Sequence, residues 1–169
     1  MVPSLDILIN NAGIFGATDM LGDNEKQLRN DLETNLFGTL SVTKALLPDL
    51  KKANAAAIAN VSSIAGLAAM PGIGGYSASK AAVHSVTQSL RGSLKSENIS
   101  VHDIYLGPVE TRMVESFEID KASPAVVADI ILEDIESGVE DIFPDAMAQQ
   151  VGAVYLTSPK MLEQNFAAF

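Results

Sequence analysis

The amino-acid sequence predicts an α/β fold, a parallel sheet with helices packed on its faces, and three observations predict it. Short apolar runs of strand length alternate with longer segments whose apolar residues recur every three or four positions. The segments between successive runs are long enough to hold a helical crossover, which parallel strands require. No internal repeat or low-complexity tail interrupts the alternation.

Residues 5–10, LDILIN, form an apolar run that ends at a turn-like N-A-G and read as a first strand leaving its sheet. Asp23 and Asn24 are candidate caps for a helix over 24–52, on which Leu28, Leu32, Leu36, Leu40, Thr43, Leu47 and Leu50 mark an inward stripe. Pro48 is expected to disturb its last turns. Residues 55–63, AAAIANVSS, read as a second strand, and the glycine-rich stretch 66–75 as a loop. From Tyr76 to Glu97 the positions Ala82, Val83, Val86, Leu90 and Leu94 have helical spacing, and 99–106, ISVHDIYL, read as a third strand. Ser123 and Pro124 then announce a helix whose stripe is Val126, Val127, Ile130, Ile131 and Ile135, and Gly138 stops it. Asp141 to Pro144 read as a short last strand.

Of the 169 residues, 47% are hydrophobic and 19% charged, which suits one globular domain. Twenty-one acidic against eleven basic residues, a net charge of -10, provide no basic face, so neither nucleic acid nor an anionic membrane is an expected partner. Without cysteine there is no disulfide framework, thiolate metal site or catalytic thiol. The uncharged run 53–79 is broken by asparagines, serines, a proline and glycines, unlike a membrane span. The first basic residue is Lys26, so no secretory signal is read at the start, and a cytoplasmic location is expected.

The chemistry concentrates at YSASK, where Tyr76 and Lys80 stand four apart at a helix start and so share a face. A free phenol titrates near ~10; an adjacent ammonium and a helix N-terminus both stabilise the phenolate, and lowering its pKa by ~3 units needs ~4 kcal/mol. The same spacing also suits two amphipathic side chains that merely cover a helix. Ser63 closes a strand thirteen residues earlier, at the sheet edge where α/β proteins bind ligands, and either meets a substrate oxygen or caps its loop. Asn35, a polar amide within an apolar stripe, needs partners, whether a water relay or the protein interior. Asn10, Asn11, Ala12 and Gly13 end the first strand, where small residues admit a ligand to the backbone or simply make the turn. His84, on a helix, and His102, in a strand, are read as structural, and no metal-binding motif is found.

Taken in order, N-N-A-G at 10–13, Asn35 in ETNLFG, Ser63 in NVSSIAG, Tyr76 and Lys80 in YSASK, and GPVET at 107–111 resemble the short-chain dehydrogenases/reductases. The resemblance runs from about Leu5 to at least Thr111, with Leu106 standing where the family usually has proline. It implies a doubly wound, Rossmann-like parallel sheet and an NAD- or NADP-dependent oxidoreductase that interconverts a small-molecule alcohol and carbonyl. By position, Tyr76 would be the general acid/base, Lys80 would lower its pKa and hold the nicotinamide ribose, Ser63 would orient the substrate oxygen, and Asn35 would anchor a relay water. Asn10, Ala12, Gly13, Gly107, Val109 and Thr111 would line the cofactor. The family's glycine-rich T-G-x-x-x-G-x-G turn, which holds the pyrophosphate, does not occur here, because neither the glycines at 13 and 16 nor those at 72, 74 and 75 have its spacing. Residues 1–169 are therefore expected to form a single partial domain, the catalytic half of the fold. A homo-oligomer is expected too, joined through the helices 24–52 and 76–97 or through the bared edge of the first strand. Two further readings stand beside this one. The first is a truncated, non-catalytic remnant serving as an assembly or interaction module. The second is a serine acyl hydrolase built on the Ser77-x-x-Lys80 spacing.

Overall fold

A computed structural model describes residues 4–22 and 24–168. Among these residues, β1 (Ile7–Asn10), β2 (Ala56–Val61), β3 (Ile99–Ile104) and β4 (Asp141–Ile142) form one parallel sheet in the order β1-β2-β3-β4. Each expected strand is present and shorter than read, because the flanking residues turn away into the loops at the sheet's ends. Ile58 pairs with Leu8 on one side and Val101 on the other, which sets every strand in register around one buried row.

Both faces are apolar, as a parallel sheet requires. On one face Leu8, Ile58 and Val101 meet Leu50 and Leu94. These belong to α2 (Thr39–Leu50) and α3 (Gly74–Leu94). On the other face Ala57, Ala59, Ile104 and Ile142 meet Ile131 and Ile135 of α4 (Pro124–Glu136). That helix does not reach β1, where Ile7 and Ile9 remain 42% and 44% exposed.

The long helix differs from its sequence reading in a way that matters for the site. It starts as α1 (Glu25–Asp31), widens into a π-helical stretch over Leu32–Gly38, and continues as α2 through Pro48 to Leu50. Pro48 falls in the last turn, so little of the helix is left for it to break. The expected stripe holds at Thr43, Leu47 and Leu50, but in the first half of the helix the inward line is not the leucines. Asp31, Asn35, Thr39 and Thr43 are buried, while Leu32, Leu36 and Leu40 are half-exposed. A period of four suits the π-helical stretch, whose wider turns rotate these polar residues toward the interior. Asn24 caps through its backbone carbonyl alone, and Asp23 lies outside the described residues.

Three other boundaries move. The start of α3 lies at Gly74, inside the stretch read as loop, and the same stretch holds short 3₁₀ turns at Ile64–Gly66 and Pro71–Ile73. Ser123 precedes α4 without a side-chain cap, with Pro124 in its first turn; Gly138 ends the following turn at φ 78°, a left-handed conformation open to glycine. Beyond Pro144, where the sequence reading assigns no element, α5 (Ala146–Thr157) and α6 (Pro159–Phe166) follow. Asp145 caps α5 by accepting from Ala148 N–H at 2.8 Å. Together α5 and α6 close over the loop after β2, burying Ile64 and Tyr105 against Ala148, Val151, Leu162 and Phe166.

The loop after β2 rides directly on α3. A Cβ at Gly66 would lie 2.8 Å from the Lys80 carbonyl carbon and 2.9 Å from its oxygen, both backbone atoms. Gly66→Ala is therefore expected to push the loop off the helix and cost about 1–3 kcal/mol of stability, read as a lower urea midpoint.

Candidate active site

The loops that leave the carboxyl ends of β1, β2 and β3 meet over the first two turns of α3, at the edge where open α/β sheets bind ligands. Tyr76 lies in the first turn of α3, half-buried, with the Phe15 ring edge-on at 4.9 Å. Lys80, one turn on and 5% exposed, donates from Nζ to the Val61 carbonyl at 2.8 Å, and Nζ lies 5.7 Å from the Tyr76 ring centroid. Ser63 precedes the 3₁₀ turn Ile64–Gly66 and caps it, accepting from Ala65 N–H at 3.2 Å. Its hydroxyl donates to the Leu106 carbonyl at 3.3 Å, and the same side chain lowers the proton affinity of the Tyr76 phenol. The capping role and a role at the phenol thus coexist in one residue.

Asn35 has partners on every side. Its Oδ1 accepts from Ile14 N–H at 2.8 Å, and its Nδ2 donates to the Ile14 carbonyl at 3.0 Å and to Ser79 Oγ at 2.9 Å. Ser79 Oγ donates in turn to the Tyr76 carbonyl at 2.7 Å. One carboxamide therefore ties the loop after β1, the π-helical stretch and the first turns of α3 together. Ser79 was not singled out by sequence, although it stands inside YSASK.

The remaining sequence candidates sit as follows. Asn10 is buried and donates to Thr43 Oγ1 at 2.9 Å and Asn60 Oδ1 at 2.8 Å, so its side chain ties β1 to β2 and α2. Ala12 is exposed. Gly13 faces the site closely: a Cβ there would lie 3.2 Å from Asn35 Oδ1 and 3.5 Å from Lys80 Nζ. Gly107 donates its N–H to Asp145 Oδ2 at 2.8 Å. Val109 bridges to Ala122, which holds the loop after β3, and Thr111 is exposed beside it. Phe117 of the same loop packs on Phe15 at 5.7 Å.

Charge in the site is set mainly by burial. The Tyr76 phenol is pushed above its ordinary value by loss of solvent, the Ser63 side chain lowers it, and the Asp31 carboxylate raises it again. The expected depression does not prevail, because loss of solvent costs the phenolate more than its neighbours return. Burial lowers Lys80 itself from 10.5 to about 8, opposed by the Asp103 carboxylate. Asp103 belongs to a second buried group that sequence reading missed. Its Oδ2 lies 3.0 Å from His84 Nδ1, which also meets the Tyr105 hydroxyl at 2.7 Å. His102 bonds the Val139 carbonyl and Ser100 Oγ.

The hydrolase reading is overturned by this geometry. Ser77 Oγ accepts from Met70 N–H at 3.4 Å, and Lys80, its would-be base, points to Val61. Among the described residues no cluster of His, Cys, Asp and Glu is placed to hold a metal ion, and no helix is long and apolar enough to cross a membrane.

Residues 1–122 match the family model of the short chain dehydrogenases. The chain belongs to this family. It is 34% identical over 113 residues to a 3-oxoacyl-(acyl-carrier-protein) reductase of Chlamydia trachomatis, covering 67% of this chain and 46% of that one. It is 35% identical over 119 residues to a 3-ketodihydrosphingosine reductase of Bacteroides thetaiotaomicron, covering 69% and 44%. The chain thus spans about half the length of the curated relatives it matches. Among solved structures, a short chain dehydrogenase of Burkholderia cenocepacia in complex with NADP superposes with a TM-score of 0.89 at 31% identity, over 95% of this chain and 70% of that one. The four-stranded parallel sheet with its flanking helices is the Rossmann-like fold of these enzymes.

Lys80 supplies a check on the site that needs no substrate. It releases its proton at about 8 in the folded chain against 10.5 when unperturbed. Between those values the unfolded chain binds more protons, so the stability linked to this residue rises with pH across that window. Relative to a Lys80→Met variant, the unfolding free energy should increase by up to about 3 kcal/mol there. Urea denaturation at both ends of the window measures it.

Proposed function

We propose that this chain carries the catalytic half of an NAD- or NADP-dependent oxidoreductase that interconverts an alcohol and a carbonyl, with Tyr76 as general acid/base. One observation carries the reading: the Tyr76 phenol stands at the carboxyl edge of the sheet with Lys80 Nζ 5.7 Å from its ring centroid and within the influence of Ser63. In the reducing direction Tyr76 gives its proton to the carbonyl oxygen, and in the oxidising direction it takes the alcohol's proton. Its raised proton affinity favours the first role at neutral pH. Ser63 holds the substrate oxygen against the phenol. Asn35, through Ser79, fixes the turn that carries Tyr76.

The residues fit the nicotinamide end of the cofactor. Gly13 leaves open the space beside Lys80 Nζ that a Cβ would fill, and of the three protons on that ammonium only one is drawn to Val61. Lys80 would hold the nicotinamide ribose there, and Ala12, Gly13, Gly107, Val109 and Thr111 would line the cofactor. When bound, the nicotinamide supplies or accepts the hydride. The names of the relatives, both reductases of keto groups, and the apolar stretch Ala65 to Gly75 support a carbonyl with an apolar body as substrate.

The reading as a non-catalytic module finds no support among these relatives, which are named as reductases and dehydrogenases. A homo-oligomer is part of the proposal. Exposed Ile7 and Ile9 on the β1 edge, with Phe37 and Val42 on the long helix, offer apolar contact. The absence of cysteine agrees with a cytoplasmic location.

Tyr76→Phe is expected to abolish hydride transfer, and Ser63→Ala to slow it by about a hundredfold or more. Stopped-flow absorbance of NADH and NADPH with an apolar ketone measures both. Carbonyl reduction that persists unchanged in Tyr76→Phe overturns the assignment.

A further inference from the structure

The long helix buries a carboxylate at the level of the reacting phenol that the mechanism above does not use. Asp31 is fully buried. Its Oδ1 accepts from Gln27 Nε2 at 3.0 Å, and its Oδ2 has no hydrogen-bond partner. A buried carboxylate oxygen without a donor destabilises the fold, and leucine at this position would remove that cost. Such a residue is retained at the expense of stability, which directs attention to what its charge does.

Contacts on either side of Asp31 locate it. One turn before it, Leu28 Cδ1 lies 3.4 Å from where a Cβ on Gly75 would sit; one turn after it, Asn35 Nδ2 donates to Ser79 Oγ at 2.9 Å. Asp31 therefore stands opposite the span 75–79 of α3, which includes Tyr76. The loop after β1 closes the same space. A Cβ at Gly16 would lie 2.7 Å from Asp31 Oδ2, and the preceding residue, Phe15, lays its ring 4.9 Å from that of Tyr76. Asp31 Oδ2 thus faces a notch that only glycine leaves open, beneath the loop whose aromatic ring shields the phenol from water.

We propose that Asp31 is a positioning residue for Tyr76, its buried carboxylate setting a negative field at the phenol that keeps the proton on the oxygen until substrate takes it. This rests on the reading of Tyr76 as general acid/base and deepens it: the phenol is the resting form of the site, and Asp31 sets how tightly its proton is held. A negative charge in a water-poor space opposes the formation of a second one nearby. The groups that face Tyr76 divide accordingly. Asp31 from the long helix favours the phenol, Ser63 from the loop after β2 favours the phenolate, and Lys80 on α3 is partly neutralised by its own partners, the Val61 carbonyl and the Asp103 carboxylate.

The test follows the phenol directly. The full 169-residue chain is labelled with 3-fluorotyrosine, whose phenol is more acidic than that of tyrosine, and its three fluorine resonances are titrated by NMR. The Tyr76 signal is assigned by its loss in Tyr76→Phe. In Asp31→Asn the Tyr76 midpoint is expected to move to lower pH, with thermal stability unchanged or raised. Asp31→Leu, which needs no donor and matches the neighbouring Leu28 and Leu32, should give the same displacement if asparagine leaves the fold unstable. A Tyr76 midpoint that stays in place or moves up in the folded variant overturns the proposal and leaves Asp31 a structural residue. The titration uses neither cofactor nor turnover, so its failure is separate from that of the acid/base reading, which the Tyr76→Phe assay decides.

Discussion

The Asn35 carboxamide holds the site together: it clamps both backbone groups of Ile14 and, through Ser79, the carbonyl of Tyr76. With each of its polar atoms satisfied in the interior, it fixes the distance between the loop after β1 and the start of α3. Everything else in the site is measured from these two segments. Phe15 reaches the Tyr76 ring because Ile14 is held, and Gly13 faces Lys80 for the same reason. Burial makes the clamp strong, since a donor or acceptor released here would lose its partner without gaining water.

The clamp belongs to a wider pattern in which polar side chains, not apolar ones, join the sheet to the helices near its carboxyl end. Asn10 and Asn60 pair across β1 and β2 and reach Thr43 and Thr87 on the two helices above. Toward the amino end the same layer is closed by Leu8, Ile58, Val101, Leu50 and Leu94. Apolar packing at one end gives the domain its stability, and hydrogen bonding at the other gives fixed geometry where a ligand must be received. Among the described residues, the buried oxygens without partners, on Asp31, Ser62 and Asp103, lie at this polar end. Stability is thus given up where chemistry is proposed, and little is given up elsewhere.

Much of this was legible in the residues. The alternation of apolar runs and helical stripes gave the parallel sheet, because strand and helix periods differ and each must bury one face. Tyr76 and Lys80 were legible as a pair because helical spacing alone places them together. The first half of the long helix was misread because its leucines have ordinary helical spacing, whereas the π-helical stretch turns Asp31, Asn35 and Thr39 inward; Thr43 and Leu50 face inward as read. A polar residue repeated every four positions was the signal available, and it has meaning only once the helix has a neighbour. The helices α5 and α6 went unread although Asp145 and the Ser158–Pro159 pair mark their starts, since weakly patterned helices take their burial from what they cover.

By itself the sequence determined the fold class and the family and singled out Asn35, Ser63, Tyr76 and Lys80 as the polar set of the proposed site, because periodicity and motif spacing are properties of the chain alone. The tertiary structure decided how those groups are charged. That Lys80 turns to Val61, that Asp103 reaches it from a neighbouring strand, and that Asp31 stands opposite Tyr76 are matters of packing between elements far apart in sequence. Desolvation and the nearness of other charges set the proton affinity of a phenol or an amine, and both are fixed only when the helices have closed on the sheet.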